Sequence, residues 1–120
     1  MLFRSWAGIE ESIADLHALF PRQFAIVDGI VGMQGNGPIQ GVPKNVGVLV
    51  AGADPVAVDA TCCRIMRIDP MRIRYLQLAS GGVEAQISER NIQQTGESIA
   101  SVETPFDLIP EFQSIRLQNS

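Results

Sequence analysis

The sequence predicts an α/β domain, a small mixed sheet with packed helices in the order α-β-β-α-α-β-β. Three observations carry this expectation. An amphipathic stripe opens the chain, two short apolar runs without polar alternation follow at residues 24–27 and 46–51, and an Asp-Pro helix start then occurs twice. Strand, helices, strand is the succession of a crossover unit, which is right-handed in nearly all sheets. The 120 residues make one domain's worth of chain, large enough to bury roughly two thirds of its unfolded surface.

Each element has a local reason. Ile9, Ile13, Leu16 and Leu19-Phe20 lie on one face of a helix over residues 6–20, which Pro21 ends. Phe24-Ala25-Ile26-Val27 stops at Asp28 and predicts a buried strand. Val46-Gly47-Val48-Leu49-Val50-Ala51 predicts a second one, and continuous apolar character implies cover on both faces. In Gly52-Ala53-Asp54-Pro55 the Asp can cap free N–H groups and the Pro gives up an N–H that has no partner, so a helix is expected over residues 55–67. Asp69-Pro70 opens another, to about Ser80, with Gly81-Gly82 as its glycine stop. Residues 91–96 and 105–109 read as short strands. The tail from Pro110 is a further strand or a loose end.

Composition excludes several classes. Hydrophobic residues at 46% with 18% charged describe an ordinary globular chain, and a net charge of −4 argues against nucleic acid as a partner. Arg64, Arg67, Arg72 and Arg74 form either a small anion-binding patch or a solvated helix surface. The first residues lack the pattern of an export signal, and the longest apolar run, residues 46–53, falls short of a membrane span. A cytoplasmic location without membrane contact is expected. Cys62 and Cys63 are adjacent on a helix and point about 100° apart, so buried reduced thiols are expected. No iron-sulfur or zinc spacing is present in this chain.

The residues most suggestive of function are those from Asp28 to Pro38, with four glycines, an Asn and a Pro between the two apolar runs. Walker A fails for want of a Lys, and the dinucleotide fingerprint begun at Gly35 and Gly37 meets Gln40 where its third Gly should stand. What remains is a structural turn, or a backbone loop that wraps a small-molecule or anionic ligand. Asp28 and Asp54 both fall at carboxyl ends of strands, where ligands gather in open α/β sheets. Asp54 is also explained as a helix cap, and Asp28 as a turn former. Asp59 is a carboxylate in a helix apolar on almost every side, so it needs a partner: a loop N–H, an Arg, a divalent cation or a ligand. The candidate ligand site is Asp28, Gly32, Gly35, Asn36, Gly37, Asp54 and Asp59, with Asp28 and Asp59 as metal ligands; no catalytic residue is assigned. His17 reads as a boundary residue, Trp6 and Tyr75 as packing residues.

Residues 24–30, 32–38 and 52–60 together with Ile68-Asp69-Pro70 resemble the C-terminal half of the prokaryotic domain-of-unknown-function family 362, from about Ile9 to Phe106. The resemblance implies a longer architecture with an N-terminal half. Some members carry ferredoxin-type clusters, so an iron-sulfur group would sit in other members or in a separate segment. Arg67 departs from the Gly that commonly precedes Ile-Asp-Pro, a change expected only to lengthen the helix. Two functions follow: the ligand-, anion- or metal-binding part of a small-molecule enzyme, or a noncatalytic domain that docks to an N-terminal half or a ferredoxin-like electron carrier. An exposed apolar patch would favour the second, a deep polar pocket the first.

Overall fold

The computed structural model describes residues 8–20, 22–81 and 86–119. The chain is α/β: helix α1 (Ile9–Leu19), strands β1 (Ala25–Asn36) and β2 (Gln40–Gly52), helix α2 (Pro55–Ile65), and short helices α3 (Arg74–Ala79) and α4 (Ile99–Val102). Single 3₁₀ stretches stand at Pro70–Arg72, Glu89–Asn91 and Pro110–Ile115. The expected helix start near Trp6, the packing of Trp6, the stop at Pro21 and the cap at Gly82 lie outside the described residues.

The main difference from expectation is the glycine-rich stretch. It is not a loop but most of β1, which pairs with β2 in one long antiparallel ribbon from Ala25↔Gly52 to Asn36↔Gln40. Ile30, Val31 and Met33 are good strand formers, and the glycines among them fit the ribbon's tight places. A Cβ on Gly29 would stand 2.9 Å from the Val48 carbonyl oxygen, and one on Gly32 would stand 2.6 Å from Cζ of Phe106. Only residues 37–39 turn. Between the pairs Gly29↔Val48 and Val31↔Asn45 the register shifts, setting Val46 and Gly47 against Ile30; Gly47 takes φ 79°, as the left-handed residue of such a bulge does.

The crossover unit expected from β2 through the helices to a third strand does not form, since the sheet of the described residues holds only β1 and β2. Nor do residues 91–96 and 105–109 become strands. The second of these runs extended against other elements: Phe106 N–H donates to Met66 O (3.1 Å), and Gly35 N–H donates to Asp107 O (3.1 Å). The tail closes over the same corner, with Ile68 bridging Arg116 and Asp69 N–H donating to Ile115 O (2.8 Å).

Both Asp-Pro starts are caps. Asp54 Oδ1 accepts from the N–H groups of Val56 (3.0 Å) and Ala57 (3.3 Å); Asp69 Oδ1 accepts from Met71 N–H (3.0 Å), opening a 3₁₀ turn before α3. The core sits between α2 and α3, where Val56, Ala60, Cys63, Leu76 and Ile87 pack together. One face of the ribbon lies on this body. The other carries Ile26, Ile30 and Leu49 outward, all exposed, so the two-sided cover expected from the apolar runs is present on one side only.

Candidate functional site

The residues expected to share one pocket are dispersed by the ribbon. Asp28 stays beside the bulge, exposed, its Oδ1 accepting from Ile30 N–H (3.1 Å), which is the local turn-forming role of an aspartate. Asn36 and Gly37 lie at the far tip, where Asn36 Nδ2 donates to Gln40 Oε1 (3.0 Å). Gly35 takes φ 84°. Position 35 is ten rungs from Ala25, whose partner Gly52 leads into the Asp54 cap; at ~3.3 Å per residue the tip is about 30 Å from that cap. Gly32 lies under Phe106 between them. Among the described residues no three His, Cys, Asp or Glu side chains converge on one metal position.

The four arginines are dispersed as well, each held within the fold. Arg64 Nη2 donates to Ile87 O (2.6 Å), and Arg67 pairs with Glu103 at 3.5 Å, Arg72 with Asp69 at 3.4 Å and Arg74 with Glu11 at 2.8 Å. That arrangement leaves no shared anion patch.

Asp59 keeps a site of its own. It does not lie under the glycines: it projects from α2 into an open cup of about 270 Å³ lined by α1, α2, α3 and Gln23. On α1 the residues Ile13, Leu16, His17 and Phe20 follow helical spacing and form one wall; Pro55 and Val56 form the second, Leu76 and Ala79 the third. Tyr75 Oη donates to Asp59 Oδ2 at 3.1 Å. Burial raises the Asp59 carboxyl above its ordinary value, and the Tyr75 hydrogen bond and the His17 charge oppose that shift. Burial first, then the Asp59 charge, pushes the Tyr75 phenol well above its usual range. Gln23 Nε2 lies 3.4 Å from His17 Nδ1 and 2.5 Å from Phe20 O, tying the end of α1 to the cup.

Tyr75 and His17 are the site residues that sequence reasoning missed. They come from different helices, 16 and 42 positions from Asp59, so no spacing links them; the one available signal is the lone carboxylate in an apolar helix, which requires a partner. On the other side of α2 a larger cleft of about 940 Å³ runs between the backbone of β2, the α2 residues Ala57, Val58, Thr61 and Ile65, and residues 91–97. Asp54 stands at its end. Both cysteines are free thiols, Cys63 buried as expected and Cys62 only half-buried.

A family model described as a domain of unknown function (DUF362) matches residues 3–64, just over half of the chain. The chain belongs to that family. Over 49 residues it is 43% identical to the thylakoid-associated protein sll1697 of Synechocystis, a match covering 41% of this chain and 15% of that protein. The shared segment is thus a small part of a longer relative. No solved structure matches the chain. Among the described residues no helix is long and apolar enough to cross a membrane.

Proposed function

We propose that this chain is a noncatalytic interaction domain of the DUF362 architecture, docking through the outer face of its ribbon to the complementary N-terminal half, carried on the same chain or on a separate one. The exposed apolar face carries the proposal: Phe24 is 67% exposed, Ile26 69% and Leu49 66%, with Ile30 continuing the patch. Contiguous apolar surface of this kind marks a binding face in a soluble protein. A two-stranded ribbon is also marginal alone and needs further strands or a packed layer.

Two further observations support it. The sheet contains only β1 and β2 among the described residues, so the edge of β2 along the 940 Å³ cleft has no strand beside it, and such an edge is a template for pairing. The molecule exposes 8175 Å² for a mass of 13.0 kDa, against about 6,300 Å² for a compact monomer of that size. Part of the difference is the ribbon face. A ferredoxin-like carrier fits this surface less well, because transient redox encounters use small contacts, at the low end of interface size. The ligand-binding alternative loses its composite site, since Asp28, Gly35 and Asp59 do not meet.

The test is co-expression of the chain with the N-terminal half of a full-length family member, followed by sedimentation velocity. A stable one-to-one complex is expected. Phe24→Asp and Leu49→Asp, both at exposed positions, should dissociate it without changing the melting of the isolated chain. Absence of a complex, or a complex indifferent to both variants, would overturn the proposal.

A further inference from the structure

The cup around Asp59 is separate from the docking face and is not explained by it. Asp59 Oδ2 is satisfied by Tyr75, while Oδ1 accepts no hydrogen bond within the described fold. Its wall residues are Ile13, Leu16, Val56 and Leu76. The ion pairs of the described residues engage Arg64, Arg67, Arg72 and Arg74 with Glu89, Glu103, Asp69 and Glu11, and none of them reaches Asp59. A half-buried carboxylate is thus left with one hydrogen bond and no cationic partner beyond the charge of His17. Its free oxygen is open to a hydrogen-bond donor from outside the described fold.

We propose that this cup binds a protonated primary amine on a short aliphatic chain. An ammonium group has three N–H donors and no acceptor. Two of the helices provide acceptors for them: Asp59 Oδ1 from α2 and the Tyr75 oxygen from α3, whose own proton is directed to Asp59. The aliphatic walls take the chain. A volume of about 270 Å³ suits a small amine. An anion would meet the Asp59 charge. A quaternary ammonium would want several aromatic faces around it, where among the described residues the cup has only Phe20 and Tyr75 beside His17.

The same chemistry is offered by a free alkylamine or by a lysine side chain of another polypeptide. Two-dimensional amide NMR titrations of the whole chain separate the sources, using n-butylammonium and Nα-acetyl-lysine methylamide as probes, with n-butanol as the neutral control. Saturable shifts centred on Asp59, Tyr75 and His17 are expected with butylammonium and not with butanol. Equal or tighter binding of the lysine amide identifies a polypeptide lysine as the natural occupant; binding of butylammonium alone identifies a free amine. Asp59→Asn, which keeps an acceptor for Tyr75, should weaken binding about tenfold or more, as expected when a charged hydrogen bond is lost. Tyr75→Phe provides a second variant that keeps the ring's packing, and it should weaken binding by less. No saturable shift with either amine, equal response to butanol, or affinity unchanged in both variants would overturn the proposal.

Discussion

Arg67 holds φ 62°, in the left-handed region that favours glycine. It stands just past the C-cap Met66 of α2, the place where helices commonly end on a glycine. The arginine therefore does not lengthen the helix, as the sequence alone suggested; α2 stops at Ile65. Its side chain holds the residue there, pairing with Glu103 and donating to Leu117 O at 3.3 Å and to Asn119 Oδ1. Arg67→Ala should lose those contacts and keep the backbone strain, whereas Arg67→Gly loses the contacts and relieves the strain. The glycine variant is expected to be more stable than the alanine variant by about 1 kcal/mol. Urea midpoints would show this, and an alanine variant at least as stable as the glycine variant would contradict the assignment.

At the scale of elements, the ribbon distinguishes two uses of glycine. Gly32 is required by a neighbour: its φ is not in the left-handed region, but a Cβ would press into the Phe106 ring. Gly35 is required by its own backbone, with φ 84° and open space where a Cβ would stand. Gly32→Ala should cost about 1–3 kcal/mol by overpacking and should shift the ring resonances of Phe106. Gly35→Ala should cost about 1 kcal/mol through backbone conformation and leave Phe106 undisturbed. Thermal melts with aromatic NMR on both variants separate the two causes; a disturbed Phe106 in the Gly35 variant would merge them. Helix α1 belongs to the same scale. It buries no residue fully, and it is held to α3 by the Glu11–Arg74 pair and by the wall it gives to the Asp59 cup.

For the whole molecule, burial of the α2–α3 core fixes how stability depends on pH. Burial, reinforced by the Asp59 charge, raises the Cys62 thiol to about 11 and the Cys63 thiol to about 12. Above the ordinary thiol value of 9.0 the unfolded chain loses these protons while the folded chain keeps them. The unfolded state then binds fewer protons, so stability falls as pH rises. The contribution is fully present below about pH 9 and is lost on the way to pH 11–12. The guanidinium midpoint should therefore drop between pH 8 and pH 10.5, and drop less in Cys62→Ala. At pH 8 neither thiol of the folded chain should react with iodoacetamide, and both should after unfolding. Equal midpoint loss in the variant, or labelling of the folded chain, would place the thiols outside the core.

Local chemistry made several features legible in the sequence: the helix stripe of α1, both Asp-Pro caps, the end of β2 before Asp54, the reduced cysteines and the membership of an α/β class. Each depends on neighbours within a few residues, where capping and periodicity act. The sequence also showed that Asp59 needs a partner. Only the tertiary structure decided that glycines at 29 and 32 make room for Val48 and Phe106 rather than form a loop, because that depends on residues 19 and 74 positions away. Strand pairing likewise set Asp28, the Gly35 tip and Asp59 apart, and helix packing chose Tyr75 and His17 as the company of Asp59. A sequence records which residues are apolar, charged or small, and close packing between distant segments selects which of them touch.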